Sequence, residues 1–399
     1  GSSMSGPLQG IRVLDMTQAV AGPVATMLLA ELGAEVVKVE FPGIGDLTRM
    51  SGFAKGGVNS SLVNCNRGKR SIQVDMKTDA GREVMLALAE RSDVVVQAMR
   101  PGKIDALGLG YEAVRAVNES VIYVSLSGYG QDGPYADRAV YDPVLQAMCG
   151  YVSLQVNPDI PFPDLMRTAL IDKAAAWEMA LSVTAALYAR ERGLGGQHLE
   201  VAMVDVAIAF LWPDGGMADT LLDDEVTAGV HLSTLLNLVE TADGHLVYFA
   251  VLPHQVEGLY EALGHPEWST DERFVSREAR HTGDNNAILG GLIADAFRSF
   301  PTADIAARLH ATSVPCGEVM AVADVPADPQ VMHNRVFRDW DHPTACAIRS
   351  PRHAARFSVT EPAFLASAPL LNEHADEILA QIGIVDDARS ALRADGVVP

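Results

Sequence analysis

Ile11-Arg12-Val13-Leu14 and Glu35-Val36-Val37-Lys38-Val39-Glu40 flank a helically spaced apolar run from Pro23 to about Leu32, which closes on Gly33. Two short apolar runs around a helically spaced segment make a strand–helix–strand unit, and glycine just past the last helical residue is a natural stop. The pattern repeats. Ser71–Asp75 predicts a strand, Thr78–Glu90 a helix with Asp79 near its start, and Asp93–Gln97 and Val121–Leu126 two further strands. Alternating strands and helices imply right-handed crossovers and a parallel sheet covered on both faces.

The next segment is more apolar. Lys173–Arg192 predicts a long helix that is apolar nearly all round, and Gly193-Leu-Gly-Gly196 breaks it. His198–Met203 predicts a strand, and Asp205–Leu211 is apolar up to Pro213. Residues 219–229 are acidic and polar and read as a linker. Beyond it, Val239–Phe249 has two apolar runs around Asp243-Gly244, which predicts a hairpin. Ala-Leu helices follow to about Ala311, then a short strand over Val314–Met320, a polar Pro-containing stretch over Asp324–Asp341, and a tail helix over Glu373–Ile382. The expected organisation is a large α/β domain over 4–218, the linker, a smaller domain over 230–320, and a return to the large domain over 321–399.

The chain has 399 residues, with 30 Lys and Arg against 51 Asp and Glu, a net charge of −21. That length exceeds a typical single small domain. The 48% hydrophobic content supplies a core and excludes disorder as a description of the whole. The acid excess argues against a nucleic-acid partner, which requires clustered cations. It does not exclude a small anionic ligand in a local cationic pocket. The most apolar stretch, Ala174–Ala189, carries Glu178 in its middle and reads as a buried helix, not a membrane span. Gly1-Ser2-Ser3 before Met4 looks like an expression remnant. Cys65, Cys149, Cys316 and Cys346 are far apart, which favours neither disulfides nor a zinc site and suits a soluble cytoplasmic protein. No metal-ligand spacing of histidines occurs.

Gly128-Tyr-Gly130-Gln-Asp-Gly133 is a literal G-x-G-x-x-G, but Pro134 and Tyr135 follow and no helix opens there. Dinucleotide binding needs the strand–turn–helix setting. A polar turn at the end of a strand is the better reading. Asp172, just before Lys173-Ala-Ala-Ala176, reads as the cap of the long helix. The same placement suits a carboxylate nucleophile, since a helix N-terminus lowers a carboxyl pKa. The two roles are compatible.

As a whole the chain resembles the class III coenzyme A transferases, which include formyl-CoA transferase and the α-methylacyl-CoA racemases. The stretches that carry the resemblance are Gly10–Asp15 with Ala21-Gly22-Pro23, Leu32–Glu40, Gly45–Arg49, Asn66–Ser71 with Asp75-Met-Lys77, and Arg100-Pro-Gly102 with Leu107–Tyr111. Ser127–Tyr135, Tyr141-Asp142, Gly196-Gln197, Ala242-Asp-Gly244, Val314–Gly317 and Asp328-Pro-Gln330 continue it. The resemblance implies a Rossmann-like large domain built from both chain ends, a smaller inserted α+β domain, and an interlocked homodimer. It implies an acyl-CoA donor and a carboxylic acid acceptor, with no prosthetic group and no metal. Asp172 matches the aspartate that attacks the thioester.

Matching CoA contacts places Ala19, Val20, Val74, Lys77, Ala98, Met99, Arg100 and Tyr141 at the ligand, with Phe41, Ala106 and Ala139–Asp142 beside them. Arg49 and Arg138 are further phosphate candidates, and Arg167 and His231 candidates for a substrate carboxylate. Phe41, Ala106 and Ala139 replace cations of formyl-CoA transferase, and Val20 replaces its substrate-site glutamine. That departs from an oxalate and formyl-CoA pair. The racemases need a histidine where this chain has Tyr141 and a glutamate where it has Leu252, and an ordinary tyrosine is a poor second base at neutral pH. No run of consecutive glycines is present to close over the site; Gly229–Asn237 is the candidate lid. The leading reading is an acyl-CoA:carboxylate CoA-transferase, with a racemase or a CoA-binding protein without turnover as alternatives.

Overall fold

The computed structural model describes residues 6–155 and 163–399. Gly1-Ser2-Ser3, expected to be an expression remnant, and the expected domain start at residue 4 lie outside the described residues. Two compact units are present: the chain up to Trp212 together with Met332–Pro399, and Pro213–Val331. The boundaries fall at 212/213 and 331/332, against the sequence expectation of 218/219 and 320/321.

The first unit is organised by six parallel strands: β1 (Arg12–Asp15), β2 (Glu35–Glu40), β3 (Arg70–Gln73), β4 (Val94–Gln97), β5 (Ile122–Ser127) and β6 (Gln197–Ala202). Their order is β3-β2-β1-β4-β5-β6. Each expected strand is present within about two residues at either end. Val13 of β1 lies opposite Val36 on one side and Val94 on the other, so the sheet is apolar at this level, whereas Asp15 and Lys38 pair at its carboxyl end.

Helix α1 (Ala21–Glu31) is buried on every side, between the sheet and α4 (Leu170–Ala189). One face of the sheet carries a core of Val13, Val96, Ile122 and Val124 against Leu29, Ile171, Met179 and Val183. The other carries Leu14, Val39, Ile72 and Val95 against α2 (Asp79–Glu90), through Val84, Met85 and Leu88. Thr78 caps α2, its Oγ1 accepting from the Gly81 N–H at 2.9 Å.

The C-terminal segment belongs to this second core. Asp75 N–H donates to the Val397 carbonyl at 2.8 Å, and Val397, Val398, Ile378 and Leu379 are buried there. The segment also holds an antiparallel hairpin of Phe337–Asp341 with Ala347–Pro351 and a last helix, Asp386–Ala394. Neither was expected from the sequence.

The unit Pro213–Val331 contains a three-stranded antiparallel sheet of Asn237–Glu240, His245–Tyr248 and Cys316–Glu318, with the expected hairpin at its centre. Helices Pro253–Ala262, Asn285–Arg298 and Thr302–Ala311 bury Phe274, Phe297, Ile305 and Leu309 against it. Among the described residues no helix is long and apolar enough to cross a membrane.

Candidate active site

The strand order fixes where a ligand can sit. From β1 the chain steps through β2 to β3, then returns to the other side of β1 at β4. Loops leaving β1 and β4 therefore diverge, and an open sheet offers a crevice at its carboxyl edge at such a switch point. A cleft of about 870 Å³ lies there. Its walls come from loops after successive strands: Gln18, Ala19 and Val20 after β1, Phe41 after β2, Lys77 after β3, Ala98, Met99 and Arg100 after β4, and Ser127 and Gly128 after β5. Arg138, Ala139, Tyr141, Asp172 and Met203 complete it. The G-x-G-x-x-G stretch opens no helix, and its first residue, Gly128, lines the cleft instead. A Cβ on Gly128 would lie 2.0 Å from Val140 Cγ1, so only glycine lets these two loops meet.

Asp172 stands in the first turn of α4, not at its cap. The cap comes from another element. Asp142, at the start of α3 (Asp142–Met148), is buried, and its Oδ2 accepts from the N–H groups of Ile171 at 2.5 Å and Asp172 at 3.0 Å. Gln146, one turn later, donates to Asp142 Oδ1 at 2.6 Å and accepts from the Met166 N–H at 2.9 Å. That bracket fixes the entry of α4.

The expectation that the helix end lowers the Asp172 pKa is therefore reversed. Asp142 occupies the free N–H groups and adds a negative charge. Burial, then repulsion from Asp142, push the Asp172 carboxyl up to about 6, against a smaller pull from Lys173. No described residue hydrogen-bonds the Asp172 carboxylate. At pH 7 it is about nine-tenths ionised and more basic than an ordinary aspartate.

Four cations line the cleft: Lys77, Arg100, Lys103 and Arg138. All are exposed, and none forms an ion pair among the described residues. Lys77 lies 5.9 Å from the Phe41 ring centroid and Arg138 3.6 Å from that of Tyr135. In a chain of net charge −21, four unneutralised cations around one cleft form a local anion site. The Met99 loop is held from beneath: its N–H donates to Gln97 Oε1 at 2.8 Å, and Gln97 donates to Ser125 Oγ at 2.9 Å.

Val74, matched to a CoA contact, and Arg49, a further phosphate candidate, do not line the cleft. Val74 is fully buried in the second core. Arg49 is consumed by structure: Nε and Nη2 donate to the two Glu40 oxygens at 2.8 Å each, and Nη1 to the Pro369 carbonyl at 3.0 Å. Arg167 pairs with Asp164 at 3.2 Å on the surface and does not line this cleft; His231 belongs to the second unit, where it hydrogen-bonds Ser233 Oγ at 2.8 Å. Lys103 was missed, although Pro101-Gly102-Lys103 directly follows Arg100. Asp142 was read as a ligand contact and is the buried partner of α4.

The family model described as CoA-transferase family III matches residues 8–375. The chain belongs to that family. The transferase is 34% identical over 331 residues to the acetyl-CoA:oxalate CoA-transferase of Acetobacter aceti, covering 82% of this chain and 84% of that one. It is 32% identical over 399 residues to the succinyl-CoA:glutarate CoA-transferase of Homo sapiens, covering 98% and 90%. Its fold matches the crystal structure of a CAIB/BAIF family protein from Brucella suis with a TM-score of 0.82 at 32% identity, covering 95% and 100%. The enzyme is thus a CoA-transferase, and its substrates are CoA thioesters.

Proposed function

We propose that the transferase moves CoA from an acyl-CoA donor to a carboxylic acid acceptor through covalent intermediates on Asp172. The observation that carries this reading is a carboxyl group, free of hydrogen bonds from described residues, at a cleft lined with cations that form no ion pair among the described residues.

An Asp172 Oδ attacks the thioester carbonyl. The C–S bond breaks with its electron pair going to sulfur, leaving an acyl–aspartyl anhydride and CoA thiolate. The thiolate attacks the aspartyl carbonyl and releases the donor acid as a carboxylate, giving an aspartyl-CoA thioester. The acceptor carboxylate attacks that thioester, and thiolate departs again. Thiolate then attacks the acceptor's acyl carbon in the new anhydride, which forms product thioester and regenerates Asp172. No net redox change or hydrolysis occurs, so excluding water from the anhydride is the main demand on the site. Tyr141 stands where proton exchange would need a second base, which disfavours racemisation.

The nucleophile must be ionised, so kcat/KM should fall about tenfold per pH unit below an apparent pKa near 6. Removing the Asp142 charge by Asp142→Asn lowers the Asp172 pKa, so the acid limb should move to lower pH. It should stay above the ordinary aspartate value, because burial is the larger cause. A limb that moves upward, or does not move in a folded variant, contradicts this assignment.

Lys77, Arg100, Lys103 and Arg138 are assigned to the CoA phosphates. Arg100→Ala should raise KM for acyl-CoA about tenfold while changing kcat little, from the loss of one exposed charge-assisted contact. Raising the salt concentration should weaken wild-type binding more than binding by the variant. A donor and acceptor screen, read as every acyl-CoA formed by mass spectrometry, tests the reaction class. Formation of product thioester only in the presence of an acceptor acid supports it, and hydrolysis alone contradicts it.

The enzyme is further assigned as a homodimer, interlocked as the family resemblance implies. Trp177, Leu181 and Tyr188 share one face of α4 and are 53%, 64% and 64% exposed. An apolar stripe of that kind calls for a covering partner. Sedimentation at low concentration should give a dimer; a monomer would contradict the assignment.

A further inference from the structure

The loop between β1 and α1 supplies Gln18, Ala19 and Val20 to the cleft wall. Its shape is unusual. Ala19 has φ 71°, in the left-handed region that a residue with a Cβ avoids. Such a conformation persists only where the surroundings over-determine it.

Here the surroundings are buried charges. The Ala19 N–H donates to Asp46 Oδ1 at 3.0 Å. The same oxygen accepts from the Thr48 N–H at 2.8 Å and from Thr48 Oγ1 at 2.9 Å. The other oxygen, Oδ2, meets the Lys38 ammonium at 2.5 Å, and both side chains are fully buried. Lys38 Nζ also donates to the Thr17 carbonyl at 2.9 Å, and Thr17 N–H and Oγ1 donate to Asp15 Oδ1. Burial opposes the ionised forms of Lys38 and Asp46, but Asp15 and then Asp46 and Glu40 hold Lys38 charged, and Lys38 with the Thr48 and Ala19 N–H groups holds Asp46 charged. Two buried ionic groups thus act on main-chain atoms of a cleft loop, where apolar side chains of similar volume would have filled the space without desolvating a charge.

We propose that Asp46, held by Lys38, is a positioning residue for the transfer reaction: it keeps Ala19 left-handed and so sets the Gln18–Val20 wall against which the acyl-CoA thioester lies. This rests on the cleft being the acyl-CoA site. Displacement of that wall by about an ångström is enough to lose productive geometry at Asp172.

The test compares two double variants in which the buried pair is neutralised together. In Lys38→Met with Asp46→Asn, the side chain can still accept from the Ala19 N–H; in Lys38→Met with Asp46→Leu it cannot. The leucine variant should fold, with its melting temperature within a few degrees of the asparagine variant. Its KM for acyl-CoA should rise and its kcat fall, each by about tenfold or more relative to the asparagine variant. Equal kinetics of the two folded variants would overturn the proposal. Should the leucine variant not fold, Ala19→Pro decides from the loop side, since proline has neither the N–H nor a positive φ. It should show the same joint change, and wild-type kinetics would overturn the proposal. CoA titration of Arg100→Ala separates the two levels. Unchanged CoA affinity there means that the cleft is not the CoA site, whereas weakened affinity there with no effect at Asp46 or Ala19 refutes the positioning role alone.

Discussion

Asp172→Asn should lower kcat for CoA transfer by at least about 10⁴-fold, because the amide cannot form the anhydride and no other group in the cleft replaces it. Acyl-CoA affinity should change less than about threefold, since the cations assigned to the phosphates are untouched. The variant should be at least as stable as wild type. No described residue bonds the Asp172 carboxylate, and its neighbour Asp142 repels it. Steady-state kinetics, CoA titration and thermal melts check the three statements. Loss of activity with loss of folding would be uninformative about chemistry, but the geometry gives no reason to expect it.

The second large effect is on stability. Lys69 is buried and makes three bonds with Nζ: to Asp15 Oδ2 at 2.9 Å, the Pro23 carbonyl at 2.8 Å and Asn66 Oδ1 at 2.8 Å. Asp15 is buried too, at the end of the central strand β1, and also accepts from Thr26 Oγ1 at 2.7 Å. Burial would favour its neutral form, but Lys69 and Lys38 hold its carboxyl well below the usual range. Lys69→Met leaves that carboxylate without its nearest countercharge. Breaking a buried pair from one side costs about 3–5 kcal/mol. Denaturant unfolding should show a loss of that size. Lys69→Met combined with Asp15→Asn should recover part of it, because the carboxylate charge is then gone while an amide oxygen can still accept from Thr17, and Lys38 keeps Asp46 as its partner. A single variant within about 1 kcal/mol of wild type would mean that the network carries little of the stability.

The strands of the central sheet were legible because burial on both faces makes them β-branched runs, as in Val94–Gln97 and Ile122–Ser127. The hairpin of Phe337–Asp341 with Ala347–Pro351 was not. Only Phe337 and Trp340 stand out from a polar stretch, and pairing rather than apolar period defines it. The last helix, Asp386–Ala394, is strongly polar and was equally silent. At the site, Asp172 could be picked out by resemblance, and the position of Lys77 and Arg100 followed. What resemblance could not show was competition for each group. Arg49 looks like Arg100 in sequence, yet Glu40 and Pro369 take up its guanidinium. Asp142 lies thirty positions before Asp172, outside any local spacing rule, yet it caps α4 and adds to the rise that burial gives the Asp172 pKa.

The central claim is covalent chemistry on one carboxylate. The most direct measurement is to incubate the enzyme with an acyl-CoA donor, trap with hydroxylamine, and map the modified peptide by mass spectrometry. A hydroxamate on Asp172 that depends on the donor is the expected result. Donor-dependent CoA exchange with no modification at Asp172, or with a modification on another residue that survives Asp172→Ala, would contradict it.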